Sequence, residues 1–221
     1  MPQEAMHARL SAGILAGEAK EVVAAVKDAL EEGMRPLELI EKGLKPGMAE
    51  VGEKFKRYEI YLPEMMMAAD AWEQAMKVLD PELAAGGEAQ EKAGCVVMGT
   101  VQGDIHCLGK DIVVAMLKVN GFDVHDLGVD VAASAFVDKA EEVEADVIAV
   151  SALMTTTMPQ QRNVLEHLEA RGVREKYCVL IGGGCTNQGW AEEIGADGYG
   201  ETAGNAVALA MEAVGKGAAR C

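Results

Sequence analysis

The residues best suited to chemistry in this 221-residue chain stand together at Asp104-Ile105-His106-Cys107-Leu108-Gly109, a D-x-H-x-x-G run. Imidazole is the commonest protein ligand for metal ions and the side chain that changes charge nearest neutral pH. Taken alone, a histidine in a short loop is more often a hydrogen-bonded structural residue than a ligand. Two further segments follow downstream. Ser151-Ala152-Leu153 comes after 41 intervening residues, with Thr155 and Thr157 just beyond it, and Gly182-Gly183-Gly184 comes after 28 more. Serine at such a place either caps the next helix or contacts a ligand. One of the threonines before Met158-Pro159 reads as a helix-start signal. The glycine run is a plain loop or a turn that cradles an anion. Each piece is ambiguous by itself, so the elements that position them decide.

From Lys92 onward, short apolar runs rich in valine and isoleucine alternate with helical stretches. The runs are Cys95–Met98, Phe122–Leu127, Val147–Val150 and Val179–Ile181, with a weak fifth at Asp197-Gly198-Tyr199. Helices are expected at 109–120, 133–144, 158–171, 187–194 and 202–215. Strand and helix in alternation give a parallel sheet covered on both faces. Five strands at this spacing fit a flavodoxin-like (Rossmann-like), doubly wound sheet of order 2-1-3-4-5, whose ligands sit beyond the carboxyl ends of the strands where the winding reverses. Thr100–Gly109, Ser151–Pro159 and Gly182–Asn187 all fall there.

The first ninety residues read instead as a bundle of amphipathic helices. Val22, Val23, Val26, Ala29 and Leu30 share a stripe that ends at Gly33. Leu37 to Val51 continues the pattern after Pro36 with a break at Lys45-Pro46-Gly47, and Leu62-Pro63 opens a helix that runs to Leu79. Asp80-Pro81 through Gly86-Gly87-Glu88 reads as a linker. The expected division is therefore a helical domain over 1–90 and an α/β domain over 91–221.

A net charge of −16 makes the chain a poor nucleic-acid binder, because phosphate repels it. No segment is long and apolar enough for a membrane span, and the N-terminus lacks signal-peptide order, so the expected location is cytoplasmic. Five cysteines without a C-x-x-C pair read as free thiols in a reducing compartment.

Three motifs in order, each after its own strand, resemble the cobalamin-binding fingerprint shared by methionine synthase, the adenosylcobalamin mutases and the corrinoid proteins of methyltransferase systems. The resemblance implies cobalamin or a related corrinoid as cofactor, with His106 as the lower ligand to cobalt in place of the cofactor's own base. It implies that Asp104 hydrogen-bonds the other ring nitrogen, and that Ile105, Cys107, Leu108 and Gly109 adjoin the cofactor. It further implies that Ser151, Leu153, Thr155, Thr157, Gly182, Gly183, Gly184, Tyr199 and Gly200 line the path of the displaced nucleotide tail. Gly52-Glu53-Lys54-Phe55 and Tyr58 to Met65 resemble the cap bundle that precedes this domain, making Phe55, Leu62 and Met65 an apolar cover for the upper face. Cys107 departs from the aspartate common in corrinoid proteins, and Asp111 from asparagine.

By that resemblance the chain is no enzyme by itself but a methyl carrier. It would serve a substrate:corrinoid methyltransferase and a second methyltransferase acting on tetrahydrofolate or coenzyme M, with a reductive activation protein as a third partner. The alternative is a corrinoid-dependent sensor. A mutase small subunit is disfavoured because such cobalamin domains generally lack the preceding cap.

Overall fold

The structure, a computed structural model, describes residues 3–86 and 92–215. The chain divides into two compact units, the first ending at Glu91 and the second starting at Lys92.

The first unit is helical: α1 (Gln3–Ala16), α2 (Ala19–Glu31), α3 (Pro36–Leu39), a π-helical segment (Ile40–Leu44), α4 (Lys45–Lys56) and α5 (Leu62–Gly86). Helix α1 packs on α2 and α4, and α2 on α5, around a core that includes Leu10, Ile14, Val22, Ala25, Leu44, Val51 and Leu79. The break expected at Lys45-Pro46-Gly47 is not a break. Pro46 lacks an N–H, and the chain widens into the π segment just before it. Ser11 of α1 donates its hydroxyl to the Gly43 carbonyl at 2.8 Å. A Cβ on Gly47 would lie 2.8 Å from the Ser11 carbonyl oxygen, so glycine lets α1 and α4 touch backbone to backbone. The expected linker is also corrected, because α5 continues through Pro81 to Gly86. Leu79 and Leu83, four residues apart on one face, are both buried, and that burial offsets the bond lost at proline. Gly87 and Glu88, the rest of that expected linker, lie outside the described residues.

The second unit is the doubly wound sheet. Strands β1 (Cys95–Thr100), β2 (Asp123–Asp126), β3 (Val147–Ser151), β4 (Cys178–Gly182) and β5 (Gly198–Gly200) run parallel in the order β2-β1-β3-β4-β5. Helices α6 (Leu108–Val119), α7 (Ala133–Glu142), α8 (Pro159–Ala170), α9 (Gln188–Ile194) and α10 (Ala203–Gly215) complete it. Alternation along each strand sends one set of side chains to each face. Val97, Ile148, Val150, Val179 and Ile181 pack with residues of α7, α8 and α9. Val96, Met98, Ala149 and Leu180 pack with residues of α6 and α10. Among the described cysteines, Cys95, Cys107 and Cys185 are free thiols as expected, and Cys178 is buried in β4. Cys221 lies outside the described residues.

Phe136 is the largest fully buried side chain, and its ring edge fills the space above Gly99, where a Cβ would lie 2.9 Å from it. Replacing it with alanine should destabilise the α/β unit by about 3–5 kcal/mol, read as a lower midpoint in chemical denaturation.

Candidate functional site

The D-x-H loop is held before any ligand is considered. After β1, Val101 donates its amide to Ser151 O (3.0 Å), and Thr100 gives its hydroxyl to His106 O (2.9 Å). Gly103, at φ +81°, donates its amide to the Asp130 carboxylate at 2.7 Å, and the Asp130 amide returns to Asp104 O at 3.0 Å. Asp130 itself sits at φ +55°, a strained setting for a residue with a Cβ.

Asp104 is fully buried and fully used. Its Oδ2 accepts the Thr157 hydroxyl (2.7 Å) and the Leu153 amide (2.8 Å). Its Oδ1 accepts the His106 amide (3.1 Å) and faces His106 Nδ1 at 2.7 Å. Burial pushes this carboxyl up, but the Thr157 hydroxyl, the Leu153 amide and the two His106 donors together hold it well below the usual carboxylate range. An ionised carboxylate only accepts, so His106 Nδ1 must donate. The proton is fixed there, and Nε2 is left with its lone pair on a ring that is 48% exposed. That is the donor a metal takes from a carboxylate-backed histidine.

Around this ring the surface is unusually apolar. Ile105, Leu108 and Leu153 are 74%, 67% and 44% exposed. Three large aliphatic side chains facing solvent next to a histidine make a platform that suits a flat, greasy partner.

A cavity of about 410 Å³ opens beside it, within the size range of small-molecule sites. It starts at Gly109 and Lys110, runs over Met98, Ala149 and Leu180 on the α6/α10 face of the sheet, and ends at Tyr199, Gly200 and Ala206. Ser151, Gly182, Gly183 and Gly184 form part of its wall. Gly183, at φ +123°, has no room for a side chain, because a Cβ would lie 1.8 Å from Ala152 O. Gly109 is the opposite case. It is exposed with ordinary φ, and a Cβ there would meet no protein atom within 4 Å.

Thus Asp104, His106, Leu153 and Thr157 come together at the loop, and Ser151, Gly109, Gly182–Gly184, Tyr199 and Gly200 line the cavity. Thr155 joins neither set and is exposed. No threonine caps α8; its N-cap, Met158, has no side-chain cap bond, and Thr157 serves Asp104 instead. In the helical unit Phe55 and Leu62 are partly exposed, while Met65 is buried in the bundle core.

Three residues were not anticipated. Lys110 is buried with its ammonium 2.6 Å from both Asp111 and Asp126. Burial lowers its pKa, but the two carboxylates outweigh burial and raise it. Gln161, fully buried, donates to Val150 O and Gly182 O, each at 3.0 Å, and accepts the Trp190 indole N–H at 3.0 Å. Asp130 staples the loop. Only the flanking Gly103 and Gly128 hint at the last, and a lysine or glutamine on an amphipathic helix otherwise reads as surface.

A doubly wound sheet with a carboxylate-backed imidazole at its switch point, an apolar platform around that imidazole and a glycine-walled cavity beside it defines a corrinoid-binding protein. Comparison with known proteins agrees. A B12 binding domain model matches residues 94–208, and a second model, also described as a B12 binding domain, matches residues 6–80. Dimethylamine corrinoid protein 2 of Methanosarcina acetivorans is 49% identical over 210 residues, covering 95% of this chain and 96% of that one. The trimethylamine corrinoid protein of Methanosarcina barkeri is 47% identical over 187 residues, 85% of this chain and 86% of that one. The crystal structure of the methanol:cobalamin methyltransferase complex from M. barkeri matches with a TM-score of 0.86 at 32% identity, covering 98% of this chain and 81% of that chain. The chain belongs to the corrinoid proteins of methyltransferase systems, and its cofactor is cobalamin or a related corrinoid. Among the described residues, no helix is long and apolar enough to cross a membrane.

The depressed pKa of Asp104 has a stability consequence. Its contribution is fully present above the ordinary aspartate pKa of about 3.9 and is lost as pH falls through that value toward the folded one. Asp104→Asn in the cofactor-free protein should therefore cost stability at neutral pH, and the gap to wild type should narrow below about pH 4. Urea denaturation at the two pH values measures it.

Proposed function

We propose that this chain carries a methyl group between two methyltransferases and does not turn over alone. The first partner is a substrate-specific methyltransferase; the second acts on tetrahydrofolate or coenzyme M; a reductive activation protein maintains the cofactor. Methylated amines are the first donors to test, because the relatives above are named for dimethylamine and trimethylamine. The single observation that supports the reading is the 2.7 Å contact between His106 Nδ1 and buried Asp104, which leaves Nε2 free on an exposed ring.

When bound, the corrinoid supplies cobalt, the atom that accepts and gives up the methyl group. The protein's part is ligation, orientation and proton control. His106 Nε2 would hold the metal in place of the cofactor's own nucleotide base. Asp104 keeps the ring in one tautomer. Away from the metal, the ring would stay hydrogen-bonded to the same carboxylate. Thr157 and the Leu153 amide keep Asp104 ionised throughout. Ile105, Leu108 and Leu153 would exclude water from the corrinoid's contact with the protein, and the cavity from Gly109 to Gly200 would take its nucleotide tail.

Nitrogen hyperfine splitting tests the ligand directly. With histidine labelled as ¹⁵N, the reduced, paramagnetic cobalt should show doublets in place of the ¹⁴N triplets, and His106→Ala should abolish the change. Unaltered triplets in the labelled wild type would leave the cofactor's own base on the metal and overturn the assignment. Asp104→Asn should weaken cofactor retention by roughly 10–100-fold, measured by equilibrium dialysis. Methyl transfer from dimethylamine with a cognate methyltransferase, followed in the cobalt absorption, tests the carrier role separately.

A further inference from the structure

At the end of β1 remote from the D-x-H loop, three donor side chains converge. Cys95 opens β1 and Asp123 opens β2, and the ladder pairs them directly; His125, paired with Val97, lies two residues further along the same face of β2. The cysteine sulfur, a carboxylate oxygen and an imidazole nitrogen all lie within 4.8 Å of one another. All three residues are half-buried, and Cys95 is a free thiol. His125 Nε2 is 3.6 Å from Asp123 Oδ2. Nothing in the corrinoid chemistry uses any of them.

We propose that Cys95, Asp123 and His125 form a binding site for a thiophilic divalent cation of the zinc class, independent of the corrinoid. The donor set chooses the ion. Sulfur with imidazole excludes magnesium and calcium, which want oxygen, and suits zinc, which takes thiolate, imidazole and carboxylate together. The scaffold is right for it, because two of the donors are register neighbours on paired strands and the third is one pleat away. Zinc bonds of about 2.0–2.3 Å require the donors to close in by a modest side-chain rotation. The Asp146 carboxylate, which accepts the Cys95 amide at 2.7 Å, adds a second negative charge beside the cluster. The cation now serving Asp123 is Lys92, whose ammonium is 2.6 Å away on an exposed stem that can swing into solvent. On zinc binding the thiol proton leaves to solvent and the sulfur–zinc bond replaces it. Three protein donors leave a fourth position for water, so the site is an open one that pins the edge strand β2 to β1.

The test uses the full chain loaded with cobalamin, so that His106 is occupied. Zinc is titrated against a chromophoric chelator and counted per chain by mass spectrometry, while the corrinoid spectrum confirms that each variant is folded and loaded. One zinc per chain is expected, with affinity falling in both Cys95→Ser and His125→Ala by more than the roughly 10–100-fold that loss of an outer-shell contact costs. Cys107→Ala and Cys185→Ala should keep the zinc. Uptake unchanged in Cys95→Ser or His125→Ala, or no uptake by the wild type above that of the double variant, would overturn the proposal. A loss confined to Cys107→Ala would overturn it too.

Discussion

A carboxylate without a drop of solvent around it is the constraint on which this site is built. Asp104 is charged and fully buried, which is tolerable only because donors from both loops are spent on it. The requirement runs both ways. The Ser151-to-Pro159 segment has to turn so that Leu153 and Thr157 reach across from β3, and the β1 loop has to deliver His106 to the opposite oxygen. The group that orients the His106 ring and a strut between two strand ends are therefore one and the same side chain. Chemistry and architecture cannot be separated here, and any exchange at position 104 disturbs both.

Much of this was legible in the sequence, for identifiable reasons. Strands buried on both faces write themselves as uninterrupted valine and isoleucine, so β1, β3 and β4 and the order of the sheet were readable, and even three-residue β5 was signalled by its place in the alternation. The identity of the site came from motif order and from resemblance to corrinoid proteins, since D-x-H-x-x-G alone carries too little information. The bundle was less legible. Alanine-rich α1 has a weak stripe and no flanking stop signal beyond Gly17, and was not delimited. Proline misled twice, at Pro46 and Pro81, where local rules ask for a boundary and packing of Leu44, Leu79 and Leu83 keeps the chain helical. Met65, in a run of three methionines, faces the bundle interior, while Met66 and Met67 are exposed.

Residues that act by tying backbone together were invisible for a different reason. Nothing in the local sequence separates Gln161 from Gln160, yet one is fully buried and the other is not. Lys110 and Asp130 are in the same position, since their partners are set by where β2 ends rather than by neighbouring residues. Periodicity reports which face of an element is apolar. It does not report which polar side chain is recruited to satisfy a strand end.

The Gln161 amide has one more implication. By clamping Val150 O and Gly182 O while Trp190 braces it from behind, it fixes the spacing of two strand termini independently of any occupant. A berth whose width is set in advance levies little ordering entropy on its guest. Loading would then resemble seating a key in a lock already cut, with no need for the sheet to melt and re-form.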